Sequence, residues 1–123
     1  MSGIKYLFDT NALIGFLTGN TTLQPYTNRP LGISVVSIIE FLSFPRITDE
    51  HKMLLDLFLH KAEVIDLDWH NTALIKEVTR VRSMYKLKLP DAIIAATSLH
   101  TNAVLVTNDH DFKKIGILQI ATY

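Results

Sequence analysis

Apolar and polar positions along the chain fall into short apolar runs separated by longer stretches with helical spacing. Near the start, "IKYLF" is short and apolar, as expected of a buried strand. "NALIGFL" then suits a short helix closed by the turn-rich "TGNTT". The prolines and asparagine of "QPYTNRP" predict a loop. "LGISVV" predicts a second strand that passes into a helix through "SIIEFLS", which Pro45 stops. In "TDEHKMLLDLFLH" an N-cap candidate, Thr48, precedes two acids, so a helix is predicted. "AEVIDL" predicts a third strand. Asp68 is a candidate cap for the next helix, where Leu74, Val78, Val81 and Tyr85 recur at helical spacing. "PDAIIAATSLH" is alanine-rich and begins with Pro90, a favoured first helical residue. "AVLVT" predicts a fourth strand, "NDHDF" a turn and "ILQIAT" a last strand.

Strands alternating with helices imply an α/β fold, with a mostly parallel central sheet of about five strands and helices on both faces. No repeat, low-complexity tract or linker interrupts residues 1–123, which read as a single domain. At 48% hydrophobic and 20% charged, the chain has the make-up of a globular protein. No apolar run approaches the roughly 18–20 residues of a membrane span, and the first residues lack a signal-peptide pattern. A cytoplasmic protein without a membrane partner is therefore expected. The absence of cysteine excludes a disulfide framework, a thiolate metal site and a thiol nucleophile. The formal net charge is zero, which argues against binding a polyanion by bulk charge. Locally, Lys76, Arg80, Arg82, Lys86 and Lys88 are opposed only by Glu77. Such a cluster reads first as a solvated helix face.

Four acids carry the chemistry. In parallel α/β sheets, ligands gather outside the carboxyl ends of the strands. Asp9 ends the first predicted strand, Glu40 follows the second, Asp91 opens the helix before the fourth, and Asp109 follows the fourth. Each also has a structural reading. Asp9 and Asp91 suit helix caps, Glu40 the third position of a capping box begun by Ser37, and Asp109 an Asx turn. Together these readings weaken. Glu40 lies among Ile38, Ile39, Phe41 and Leu42, where desolvation favours protonation unless a cation compensates. Clustered carboxylates repel, and oxygen-only ligands suit a hard ion, Mg²⁺ or Mn²⁺. Such an ion keeps several waters and can activate one for hydrolysis.

Three segments, "YLFDTNALI", "ISVVSIIEFL" and "LPDAIIAATSLHTNAVLVTNDHDF", make the chain resemble a PIN-domain ribonuclease of the VapC toxin type, in the family's order and spacing. The likeness runs from about Ile4 to Phe112. It is strongest where the helix-opening acid of "LPDAIIAAT" is followed by the strand-ending acid of "VLVTNDHDF". The resemblance implies that Asp9, Glu40, Asp91 and Asp109 are the acids of a catalytic Mg²⁺ or Mn²⁺ site. Thr10, Asn11 and Thr107 are then supporting polar residues, and Asp111 a supporting acid that competes with Asp109 for the fourth place. It further implies metal-dependent hydrolysis of RNA, a homodimer, and a VapB-type antitoxin whose tail covers the site. For RNA, the candidate contacts are Lys86 and Lys88, because "LKLP" leads directly into Asp91. Arg80 and Arg82 are also candidates; two residues apart on a helix they point about 200° from each other, so at most one faces the groove.

Three alternatives compete. A haloacid-dehalogenase-like phosphotransferase also has an acid after its first strand, but "DTN" lacks the second acid two residues on. A receiver-like domain needs adjacent acids near the first strand and an acceptor ending the third, whereas "VIDLD" runs into a helix cap. A PIN fold serving only as a binding module usually lacks some of the acids, and all four are present.

Overall fold

The computed structural model describes residues 3–123, so the first two residues of the 1–123 domain lie outside it. Five parallel strands form one sheet in the order β3-β2-β1-β4-β5. They are β1 (Tyr6–Phe8), β2 (Leu31–Ser34), β3 (Glu63–Ile65), β4 (Val104–Val106) and β5 (Ile120–Ala121). Five α-helices cover the sheet: α1 (Thr10–Leu17), α2 (Val35–Leu42), α3 (Asp49–Leu59), α4 (Thr72–Tyr85) and α5 (Leu89–Thr101). The predicted α/β class, parallel sheet and strand count are all observed.

Successive side chains on a strand point to opposite faces, and the core follows that rule. Leu7 packs in a cluster with Leu74, Val78 and Val81 of α4 and Ile94 of α5. Its neighbour Phe8 enters the other cluster, with Leu13 of α1, Phe41 of α2 and Leu55 and Phe58 of α3. Leu105 and Val106 divide between the same two clusters. Each fully buried side chain of this size contributes roughly 1.5–3 kcal/mol, so both faces anchor β1 and β4. The acid-bearing turns at their carboxyl ends therefore start from rigid strands.

Several local expectations are corrected. "QPYTNRP" is not irregular: a 3₁₀ helix spans Thr21–Asn28, capped by Asn20 accepting from the Thr22 amide, and Pro25 is accommodated within it. Val35 and Val36 belong to α2 rather than to β2, because Ser34 caps the helix by accepting the Val36 amide at 3.2 Å. Ser37 is thus inside the helix and begins no capping box. Asp68 caps nothing; its carboxylate accepts the His70 amide, and Asn71 caps α4 by accepting from Leu74. The "NDHDF" turn continues as a short 3₁₀ helix, His110–Lys114. α5 opens one residue early, at Leu89, with Pro90 in its first turn. Thr48 caps α3 as expected, in a reciprocal box with His51.

Candidate active site

One cleft of about 410 Å³ opens at the carboxyl edge of the sheet, and its lining includes Asp9, Glu40, Asp91 and Asp109. Four segments far apart in sequence deliver them. β1 ends at Phe8, so Asp9 is the first residue past the strand and the N-cap of α1. Glu40 lies in the last turns of α2, Asp91 in the first turn of α5, and Asp109 caps the 3₁₀ helix after β4.

The acids are held differently. Asp9 is 3% exposed, and both its oxygens are engaged. Oδ1 accepts the Ala12 amide at 2.7 Å, and Oδ2 accepts the Thr107 hydroxyl at 2.5 Å. The capping role expected of Asp9 is real and coexists with its place in the cleft. Thr107 also accepts the Asp109 amide at 3.0 Å, so one buried hydroxyl ties the β1 turn to the β4 turn. Glu40 Oε1 accepts the Thr10 hydroxyl at 2.5 Å. That proton being committed to the carboxylate, Ser37 Oγ, 3.0 Å from Thr10 Oγ1, donates back to Thr10. Asp109 accepts the Asp111 amide at 2.9 Å. The N-cap position of α5 is held by Lys88, which makes no side-chain capping bond, and the Asp91 carboxylate in the first turn accepts no hydrogen bond from the described residues.

Electrostatics show how crowded these charges are. Burial first, and then the nearby charges of Asp109 and Glu40, push the Asp9 carboxyl above the usual carboxylate range; the bonds from Thr107 and Ala12 hold it back. Asp91 is raised by burial, then by Asp109, Glu40 and Asp111, with Lys88 offsetting part of the shift. No lysine, arginine or histidine lines the cleft. Carboxylate oxygens of Asp91, Asp109 and Asp111 lie within 4.8 Å of one another. Asp111, expected as a supporting acid, thus comes within 4.8 Å of Asp91 as Asp109 does, although it is exposed and outside the cleft lining. An oxygen-only set of mutually repelling carboxylates with no protein cation among them fits a hard divalent ion.

The other candidates are dispersed. Thr10 and Asn11 line the cleft and Thr107 braces it from behind. Lys88 occupies the N-cap position of α5, close enough to act on Asp91, whereas Lys86 is the exposed left-handed residue ending α4, with φ 54°. Arg80 is bound to Glu77 on its own helix at 2.7 Å, and Arg82 is exposed in the last turn of α4. Sequence reasoning missed Ser43 and Phe44, and it missed Ser37 as the partner of Thr10, having given it only a capping box. Ser37 was hidden by the misplaced start of α2; Ser43 and Phe44 carry no motif and reach the cleft only because the chain turns after Leu42.

The strand order separates this site from one alternative. Receiver-type sheets run 2-1-3-4-5, and β3-β2-β1-β4-β5 does not. What remains is a parallel α/β domain with an acidic, metal-ready cleft at its topological switch. The PIN-domain family model matches residues 6–118, and the chain belongs to that family, whose members are generally nucleases. The resemblance drawn from the motifs is borne out. Among solved structures, the chain is similar to one in a Klebsiella pneumoniae toxin–antitoxin complex, with 28% identity, 96% of this chain and 97% of that one covered, and a TM-score of 0.79. It shares the fold of a chain in the Rickettsia felis VapBC2 complex bound to a promoter DNA fragment, at 22% identity, 98% and 99% coverage and TM-score 0.81. The same holds for VapBC-1 of nontypeable Haemophilus influenzae, at 19% identity, 97% and 98% coverage and TM-score 0.76. A comparison with curated proteins gives no match. No helix among the described residues is long and apolar enough to cross a membrane.

Proposed function

We propose that the chain is a divalent-metal-dependent endoribonuclease and the toxin of a toxin–antitoxin pair. The observation that carries this reading is the convergence of Asp9, Glu40, Asp91 and Asp109 on one cleft that no lysine, arginine or histidine among the described residues lines. The toxin–antitoxin complexes of similar fold support the pairing with a VapB-type antitoxin, and the family resemblance supports a homodimer.

Asp9, Glu40, Asp91 and Asp109 would hold Mg²⁺ or Mn²⁺. When bound, such an ion supplies Lewis-acid polarisation of a phosphoryl oxygen and acidifies water at neutral pH. The chain's own residues do the positioning. Thr107 and the Ala12 amide fix the plane of the Asp9 carboxylate, and Thr10, backed by Ser37, fixes Glu40. Asn11 and Ser43 also line the cleft, where they would offer polar groups to a ribose-phosphate chain. These braces are expected to matter about 10–100-fold in metal affinity or activity, as outer partners of metal ligands do.

The test is hydrolysis of RNA by the purified protein with Mg²⁺ or Mn²⁺, with and without a chelator. Activity should require the metal and should fall by orders of magnitude in Asp91→Asn with the fold retained. Metal-independent cleavage, or full activity in Asp91→Asn, would falsify the reading.

A further inference from the structure

A neutral protein with an acidic cleft must find positive charge and stacking surface close by if it is to hold RNA, and the structure offers both on one short loop. After α2 the chain turns through Ser43 to Thr48 before α3 begins. Phe44 closes the turn, its amide bonded to the Phe41 carbonyl and its carbonyl accepting from Ile47. Ser43, Phe44 and Pro45 form one rim of the acidic cleft. On its other side, Phe44 helps to line a separate, largely apolar depression of about 140 Å³, together with Ile14, Phe41, Ile47, Arg46 and His51. A single aromatic ring, 46% exposed, therefore stands between the acids and this second depression.

The two nitrogen-bearing side chains of that depression are an exposed Arg46 and a half-buried His51. The Arg46 side chain makes no hydrogen bond or ion pair among the described residues, unlike Arg80. His51 accepts the Thr48 amide on Nδ1 at 3.3 Å, which leaves the ring proton of the neutral form on Nε2 as a donor. An aromatic face beside a cation and a ring N–H is what single-stranded RNA needs: every base has a π-face, and its flanking phosphate needs a cation.

We propose that the Ser43–Thr48 loop is a nucleotide subsite for the RNA substrate, in which Phe44 stacks a base next to the scissile bond and Arg46, aided by His51, contacts the adjoining phosphate. The proposal rests on the ribonuclease reading and adds the element that fixes where the strand lies. Continuity with the acidic cleft through Phe44 and the unpaired charge of Arg46 favour a nucleotide over an apolar peptide as the occupant.

The test uses a labelled random-sequence single-stranded RNA pool, with Ca²⁺ replacing the catalytic ion and fluorescence anisotropy as readout. Phe44→Leu keeps the apolar volume but loses the π-face, and should weaken binding about tenfold. Phe44→Tyr should restore it. Arg46→Ala should lower the slope of log affinity against log salt by about one. In a Trp69→Phe background, where the single native tryptophan is removed, Phe44→Trp should place a reporter that RNA quenches and a base-free ribose-phosphate polymer does not. Wild-type affinity in Phe44→Leu, or equal quenching by both polymers, overturns the subsite, and so does an apolar peptide occupant, which would leave RNA binding indifferent to Phe44→Leu. If the unaltered protein neither binds nor cleaves RNA with metal, it is the ribonuclease reading that fails.

Discussion

The two walls of the acidic cleft are built on different terms. The wall formed by the β1–α1 turn and α2 is fastened: every oxygen of Asp9 and one of Glu40 accept hydrogen bonds from Ala12, Thr107 or Thr10. The opposite wall, at the start of α5, presents Asp91, whose carboxylate accepts no hydrogen bond from the described residues. Both Asp9 and Asp91 are nevertheless pushed toward the protonated form by burial and by the same neighbours, Asp109 and Glu40. Asp9 thus has a part in holding the fold besides its place in the cleft, whereas no hydrogen bond among the described residues gives Asp91 such a part. Removing each should therefore have different consequences for stability.

The widest separation is expected within the turn after β4, where Asp109 and Asp111 stand two residues apart. Asp109 is partly buried, lines the cleft and is braced through Thr107; Asp111 is exposed. We expect Asp109→Asn to weaken Mn²⁺ binding about 10–100-fold, the scale of damage at a metal site's supports or beyond, and Asp111→Asn to do less. Calorimetric titration of both variants with Mn²⁺ decides it. The reverse order would make the 4.8 Å grouping of Asp91, Asp109 and Asp111 the operative set.

Next in size is stability without metal. Asp9→Ala removes the acceptor of the α1 cap, worth about 0.5–2 kcal/mol, and strands the Thr107 hydroxyl, which is 1% exposed. Asp9→Asn keeps an acceptor for the Ala12 amide. Urea denaturation should place Asp9→Ala below Asp9→Asn by about 1–2 kcal/mol, while Asp91→Ala and Asp91→Asn should nearly coincide. The pH dependence follows from the raised Asp91 carboxyl. A folded-state pKa above the unfolded value contributes stability that is fully present below about pH 4 and is lost as pH rises through the folded pKa. Metal-free Asp91→Asn should thus melt with the wild type in acid and a few degrees above it near neutrality. A gain in acid that disappears at neutral pH would show that the helix terminus stabilises the Asp91 charge more than its neighbours repel it.

How much of this was legible in the sequence depends on what each residue needs from the rest of the chain. Asp9, Asp91 and Asp109 sit where an apolar run stops or a proline opens a helix, so local punctuation placed them at the sheet edge. Glu40 was found by its oddity among Ile38, Ile39, Phe41 and Leu42. The pairing of Ser37 with Thr10 and the Asn71 cap were not found, because each depends on where a helix starts to within three residues. Pro25 inside a 3₁₀ helix defeated a rule that holds for α-helices. Phe44 and Arg46 were invisible for another reason: "FPRI" reads as a helix stop, and only the folded turn shows which depressions its side chains border.

The smallest effect concerns the cations beside the unfastened wall, which sharpen the comparison with the Phe44–Arg46 loop on the far rim. Lys88 occupies the N-cap position of α5 and its ammonium already eases Asp91 downward, so it lies within electrostatic reach of the cleft. Lys86 is exposed and held in a left-handed conformation at the end of α4, which fixes its backbone without fixing its side chain. Arg80 is committed to Glu77, which leaves the two lysines and the exposed Arg82 as the cations of that segment. A phosphate contacted by either should lower its counterion count by about one, so Lys86→Ala with Lys88→Ala should reduce the salt slope of RNA binding by one to about two. The loss of affinity should be modest and independent of sequence, since phosphate contacts position a strand without reading its bases. RNA affinity at several salt concentrations, with Ca²⁺ substituted to limit cleavage, measures it. A slope unchanged in the double variant but lowered in Arg46→Ala would assign the strand's path to the α2–α3 rim and leave the lysines as a solvated face.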